Sequence, residues 1–355
     1  MTCITVDVSK SYSVWIGGGL TSQAGEKISE ACGGEKIMLV TDNVVNTLYA
    51  DAFERSLLAS GYEVSRFVFQ NGERSKNMTT YTSLLNALAE AGLTRSDVVA
   101  ALGGGVVGDM AGFAAATYMR GVRFAQIPTT VLSMVDSSVG GKTAEDLPSG
   151  KNLAGAFYQP DIVLCDYETL RTLPEEIFLD GCAEIIKHGV ILSAELFELL
   201  KEPILPRIEE IIARNVSIKR DIVAADERDT GIRQILNFGH TIGHSIEKCG
   251  DYSMSHGKAV AIGMAVASRG AWRMGLCPED CYRQIVDMVK RFDLPYKTGI
   301  SPERLIEAAS FDKKRSGQNI TLILPERIGK CVARKFSLNE LAQFIELAMQ
   351  DARPT

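Results

Sequence analysis

Val98-Val99-Ala100-Ala101-Leu102-Gly103-Gly104-Gly105-Val106-Val107-Gly108-Asp109 is an apolar run that passes directly into glycines and then into a helical pattern. A strand covered on both faces needs no polar alternation, so the run reads as a buried strand of a parallel sheet. Glycines at a strand-to-helix turn let an anion approach the backbone and rest on the helix N-terminus, where unpaired N–H groups and the dipole favour negative charge. A dinucleotide pyrophosphate is bound this way, although a tight turn with close helix–sheet packing asks for the same residues. The motif does not follow the first strand, so an ordinary dehydrogenase fingerprint is absent. The same glycines make a membrane span a poor reading of Val98 to Met119.

Outward from this turn, Lys36–Thr41, Glu63–Phe69, Phe124–Ile127 and Ile162–Cys165 read as further strands. They alternate with helical segments at Val45–Ser60 and Thr79–Ala91, which is the rhythm of parallel βαβ units. Thr2 to Ile16 alternates Ile4, Val6 and Val8 with polar residues, a strand rather than a targeting peptide. From about Leu173 the periodicity becomes helical: Glu175–Leu192, Ile204–Ala225, His240–Cys249, His256–Met274 and Pro278–Phe292, with a late hairpin at Asn319–Leu324 and Lys330–Phe336 before a helix at Leu338–Met349. The 355 residues therefore divide into an α/β domain over 1–173 and a mainly α-helical domain over 174–355.

Thirty-eight Lys and Arg against 44 Asp and Glu give a net charge of −6, which argues against bulk binding to nucleic acid or an acidic membrane. An anionic ligand would need a local basic patch. The eight cysteines lack CxxC spacing and no secretory signal precedes them, so they read as reduced thiols of a soluble cytoplasmic protein.

The four histidines, His188, His240, His244 and His256, fall within one short stretch. His240 and His244, at i and i+4, share a helix face, and His256 opens the next helix. With a carboxylate from elsewhere, imidazoles so placed can ligate zinc and leave a position for substrate, although HxxxH also arises by coincidence. Glu184, Lys187 and His188, at i, i+3 and i+4, share one face: either a salt-bridged stripe or the source of that carboxylate. The segment Asp136 to Asn152 contains Gly140-Gly141-Lys142-Thr143, but Asp136 stands where a P-loop requires glycine. What remains is a polar loop with two lysines, an Asp, an Asn and several hydroxyls, suited to a polyhydroxylated anion and equally to solvent.

Together with Ile127-Pro128-Thr129-Thr130, Gly150-Lys151-Asn152, Ala183-Glu184-Ile185-Ile186-Lys187, Leu236-Asn237-Phe238-Gly239-His240 and His256-Gly257, these motifs resemble the 3-dehydroquinate synthase family of sugar phosphate cyclases, from about Asn71 to Lys314. The resemblance implies a Rossmann-like NAD-binding domain joined to a helical metal domain, with the active site in the cleft. By matched position, Glu184, His240 and His256 would hold Zn2+, with Co2+ an alternative, and His244 would face substrate instead of metal. NAD would meet Asn71, Glu73, Lys76, Gly104, Gly105, Val106, Val107, Gly108, Asp109, Thr129, Thr130, Lys142, Lys151, Thr169, Leu170 and Thr172. The substrate would meet Asp136, Lys142, Asn152, Lys187, Lys219, Arg233, Asn237, His244 and Lys313 or Lys314, with Arg120 on its phosphate, in cis or across a homodimer.

The implied reaction converts 3-deoxy-D-arabino-heptulosonate 7-phosphate to 3-dehydroquinate and phosphate, in the shikimate route to aromatic amino acids, by transient oxidation, phosphate elimination, reduction, ring opening and aldol closure. A cyclase acting on another sugar phosphate, such as a 2-deoxy-scyllo-inosose synthase, and a metal-dependent polyol dehydrogenase are the competing enzymes; a non-catalytic NAD-binding protein would show a degraded site. The sequence departs from the family pattern at Ala144-Glu145-Asp146-Leu147-Pro148, where Gly-Val-Asn-His-Pro is frequent, at His188, commonly Tyr, and at Lys258, commonly Glu.

Overall fold

The computed structural model describes residues 1–250, 253–310 and 319–350. Two compact units emerge, one of Met1–Pro174 with Ile208–Arg228, the other of Glu175–Arg207 with Asp229–Thr355.

The first unit is built on a seven-stranded sheet of order β1-β2-β9-β6-β5-β3-β4. Its strands are β1 (Thr2–Val6), β2 (Tyr12–Gly17), β3 (Lys36–Asp42), β4 (Glu63–Phe69), β5 (Val98–Gly103), β6 (Arg123–Pro128) and β9 (Ile162–Asp166), while β7 (Lys142–Leu147) and β8 (Gly150–Phe157) form a separate antiparallel hairpin. Only β1 with β2 is antiparallel within the large sheet; the other pairs are parallel. Every residue of β5 is buried, as the opening run requires. Alternate residues feed two cores: Ile37, Leu39, Val98, Ala100 and Leu102 on one face, Met38, Val40, Val99 and Ala101 on the other.

Helices α1 (Ala24–Cys32), α2 (Asn43–Val45), α3 (Asp51–Ala59), α4 (Met78–Glu90) and α5 (Gly105–Thr117) connect these strands. The chain leaves β3 for β4 at the sheet edge, then returns to β5 on the other side of β3. Strand order reverses there, and such reversals open a crevice beyond the carboxyl ends of the strands. Thr41 and the Gly103–Gly105 turn stand at that crevice, and the Thr41 hydroxyl donates to the Leu102 carbonyl at 2.8 Å.

The opposite ends of β3 and β5 are tied by Asp97. Its carboxylate accepts from the backbone N–H of Glu35 (3.1 Å), Lys36 (2.9 Å) and Thr94 (2.7 Å) and from the Thr94 hydroxyl (2.7 Å). Burial opposes ionisation, but these donors outweigh it and hold the carboxyl below the ordinary aspartate value. Asp97→Ala is expected to cost roughly 2–4 kcal/mol by urea unfolding at neutral pH, because it strands buried donors. Since the folded-state value is depressed, the wild-type advantage is present above the ordinary aspartate range and disappears as pH falls through the lowered value.

The second unit contains α6 (Glu175–Leu192), α7 (Ala194–Leu199), α9 (His240–Cys249), α10 (His256–Arg273), α11 (Glu279–Arg291), α12 (Pro302–Ser310), α13 (Leu338–Met349) and a hairpin of β10 (Asn319–Arg327) with β11 (Lys330–Ser337). Helix α10 is its axis, packed by α6, α9, α11 and α13. Small residues make this possible: a Cβ on Gly263 would lie 2.0 Å from the Gly239 carbonyl oxygen, and one on Gly257 1.9 Å from that of Asp180.

Two elements differ from the sequence reading. Helix α8 (Ile208–Ala225) falls after residue 173 yet belongs to the first unit, where it packs on β1, β2 and the Ser133–Ser137 turn. Its apolar stripe shows that a face is buried, not against which partner. Residues 142–152, read as part of a polar loop, belong to the β7–β8 hairpin, whose inward alternation is disguised because one of its buried positions is Glu145.

Candidate functional site

In the second unit, Glu184 projects from α6, His240 opens α9 and His256 opens α10. Both histidine Nε2 atoms lie 3.4 Å from Glu184 Oε1, and one ligand atom from each residue lies within 4.8 Å of the others. His240 Nδ1 is 3.1 Å from the Phe238 carbonyl oxygen, so it donates there and leaves the Nε2 lone pair facing Glu184. Two nitrogens and one carboxylate converging from three helices are a donor set for one divalent transition metal with a position to spare. Burial works against the ionised Glu184, but Lys187, His240 and His256 outweigh it and hold the carboxyl well below the ordinary glutamate value.

Lys187 lies one turn further along α6, buried, and forms an ion pair with Glu184 Oε2. The His244 ring lies 5.5 Å from that of His240 and 6.1 Å from that of His256. Spacing alone groups His240, His244 and His256; the structure instead brings Glu184 to His240 and His256, and sets His244 with Glu247 beside His256. Glu247 was missed by the sequence reading. Its Oε1 lies 3.6 Å from His256 Nδ1, the edge turned away from Glu184, which is where an orienting carboxylate belongs. The available signal was its place at i+3 from His244 on the same helix face. Arg233 is buried in the helical turn Ile232–Asn237, with Asn237 at its end. His188 is buried within α6.

In the first unit, three segments widely separated in sequence meet at one ammonium. Lys76 Nζ donates to Asp109 Oδ2 at 2.5 Å and also to Asn152 Oδ1. Burial opposes the charge on Lys76, but Asp109, Glu73 and Asp146 outweigh it and raise its value. Asn152 adopts φ 53°, and its N–H donates to Asp146 Oδ1 at 2.7 Å. Lys151 pairs with Glu73 at 3.6 Å, and the Asn71 N–H donates to Asn43 at 2.7 Å. The first turn of α5, with Gly104 as its cap, contains no acidic side chain, so Gly105, Val106, Val107 and Gly108 begin a helix open to an anion. A Cβ on Gly104 would lie 3.3 Å from Thr130, which closes the turn from the other side, and the Thr129 N–H donates to Gly103 at 3.0 Å.

Thr169, Leu170 and Thr172 lie on the helical turn Tyr167–Thr172, pinned by Tyr49, whose hydroxyl donates to the Thr169 carbonyl at 2.9 Å. Lys219 of α8 reaches Asp136, donating to its carbonyl at 2.5 Å and pairing with its carboxylate. Lys142 is exposed at the start of β7. Arg120 is exposed and, with Met119 and Gly121, forms three successive residues of positive φ. Lys313 and Lys314 lie outside the described residues.

Residues 66–180 match the family described as 3-dehydroquinate synthase N-terminal, and residues 181–315 match 3-dehydroquinate synthase C-terminal. The chain belongs to the 3-dehydroquinate synthase family. Curated 3-dehydroquinate synthases of Clostridium acetobutylicum and Streptococcus mutans are 42% and 44% identical to it, each over 95% of this chain and 97% of the relative. Among solved structures, 2-epi-5-epi-valiolone synthase from Streptomyces hygroscopicus, with NAD+ and Zn2+ bound, superposes with a TM-score of 0.87 at 27% identity over 98% of this chain and 99% of that one. A 2-deoxy-scyllo-inosose synthase with carbaglucose-6-phosphate, NAD+ and Co2+ gives 0.83 at 25% identity over 97% and 99%. Glycerol dehydrogenase from Schizosaccharomyces pombe, at 14% identity and a TM-score of 0.66 over 94% and 88%, shares the fold.

Proposed function

We propose that this member of the 3-dehydroquinate synthase family is a 3-dehydroquinate synthase, an NAD- and metal-dependent lyase that converts 3-deoxy-D-arabino-heptulosonate 7-phosphate to 3-dehydroquinate and phosphate. The observation that carries the reading is 42–44% identity to enzymes of that name along nearly the whole chain. The convergence of Glu184, His240 and His256 supports it. The 2-deoxy-scyllo-inosose and 2-epi-5-epi-valiolone synthases described above are more distant, at 25–27% identity.

When bound, NAD supplies reversible hydride acceptance and a zinc or cobalt ion held by Glu184, His240 and His256 supplies a Lewis acid. The protein's own groups do the rest. Lys142, Lys187, Arg120 and Lys313 or Lys314 bind carboxylate and phosphate as fixed cations. The substrate's own phosphate takes the C6 proton before it leaves, so those cations also hold the base in place. His244 and Asn237 orient hydroxyls, with the imidazole carrying a proton near neutral pH. Lys219, ordered by Asp136, and Arg233 and Asn152 complete the substrate contacts. Lys76 and Asp109, with Asn71, Glu73, Lys151, the Gly104–Gly108 turn, Thr129, Thr130 and the Thr169–Thr172 turn, hold the dinucleotide.

The proposal extends to a cytoplasmic homodimer. No helix among the described residues is long and apolar enough to cross a membrane, the cysteines are free thiols, and Arg120 is presented outward. Metal-replete protein given substoichiometric NAD and the heptulosonate phosphate is expected to release phosphate and dehydroquinate in equal amounts, without accumulating NADH. Net NADH production would point to a polyol dehydrogenase, and absence of phosphate release would refute the assignment.

A further inference from the structure

Glu145 stands on β7, within the stretch where the sequence departs from the family pattern. It is fully buried, and neither carboxylate oxygen has a hydrogen-bond partner among the described residues. Thr143, two residues earlier and therefore on the same strand face, abuts α5: its Cγ2 lies 2.4 Å from where a Cβ on Gly112 would be. Glu145 thus faces the layer of α4 and α5.

The charged and titratable groups around it come from each packed element. Lys76 and Glu73 precede α4, Tyr81 lies on α4, Asp109 on α5 and Asp146 on β7 itself. Lys76 is already engaged by Asp109 and Asn152, so no cation is left over for Glu145 within this group. Burial pushes the carboxyl up; Lys76 pulls against that, Asp109, Asp146 and Glu73 add to it, and the result is about 8.

We propose that Glu145 is a proton-controlled positioning residue for the dinucleotide. Neutral, it leaves Lys76 to Asp109 and Asn152; ionised, its proton lost to solvent, it competes for Lys76 and adds a negative charge beside the anionic ligand. The proposal rests on the reading that Lys76 and Asp109 face NAD. Position 145 would then make cofactor affinity fall in alkali while leaving it intact at neutral pH.

The test is calorimetric titration of NAD into the full-length protein between pH 6.5 and 9.5, for wild type, Glu145→Gln and Lys76→Met. Wild type is expected to weaken about tenfold more than Glu145→Gln across that range, the scale of one added charge at partly screened distance. Glu145→Gln should also melt higher, by a margin that grows from pH 5 to pH 8 and is level above, because a raised folded-state value means stability is lost as pH rises through that window. Parallel binding profiles for wild type and Glu145→Gln, or a melting difference that ignores pH, would overturn the proposal. Unchanged NAD affinity in Lys76→Met would instead overturn the reading that Lys76 faces the dinucleotide.

Discussion

Glu184→Gln is expected to lose its metal and at least about a thousandfold in turnover, the order of effect when Lewis-acid assistance is removed. The substitution keeps the shape of the side chain and removes its charge, so packing within α6 is preserved. What changes is the oxygen on which His240 Nε2 and His256 Nε2 converge at 3.4 Å. A neutral amide is a weak ligand for zinc, and two imidazoles alone make an incomplete site. The same change takes the counter-charge from Lys187, whose ammonium is buried against Glu184. Breaking a buried pair in this way costs about 3–5 kcal/mol. Metal content by mass spectrometry of the native protein, together with melting in chelator, separates the two effects. Wild type should show a melting difference between metal-loaded and chelated protein, and the variant none. A variant that retains stoichiometric metal and full turnover would remove Glu184 from the proposed site.

Gly257→Ala should unfold the second unit more readily, by about 3 kcal/mol or more, from a single methyl group. The added carbon would lie 1.9 Å from the Asp180 carbonyl oxygen and 2.6 Å from its carbon, backbone atoms that cannot rotate away. Relief requires α6 and α10 to separate, yet α10 is also pressed against the start of α9, so closely that a Cβ on Gly263 would lie 2.0 Å from the carbonyl oxygen of Gly239, the residue that caps α9. Because His256 immediately precedes Gly257, the displacement moves a proposed ligand, so metal affinity should fall with stability. Gly299→Ala, at a position with nothing within 4 Å of the added carbon, is the matched control and should melt like wild type. Equal melting of Gly257→Ala and wild type would show that the two helices tolerate separation.

The parallel sheet was legible because strands buried on both faces must be apolar throughout, as Val98–Leu102 is. Helix α8 was legible as a helix but not as a member of the first unit, since amphipathicity carries no address. The β7–β8 hairpin was hidden by its own chemistry: a buried glutamate at 145 breaks the apolar alternation by which a half-buried strand is recognised. Spacing drew His244 towards the other histidines, and only the likeness to a known family preferred Glu184, from a different helix. Neither route could show that Lys76, Asp109 and Asn152 meet at one ammonium, because the packing of a loop, a helix and a strand against one another, and not sequence distance, brings them together. Glu247 went unnoticed for a related reason, since what it orients is the far edge of another helix's imidazole.

The β7–β8 hairpin is a separate piece of sheet attached to the first unit. Its strands pair with each other and stand outside the seven-stranded sheet among the described residues, with an isolated bridge from Asp146 to Asn77, the residue that caps α4. Substitution there leaves the ladder of the large sheet in register. Residues 144–148 can therefore be exchanged without breaking a hydrogen bond of the large sheet's ladder.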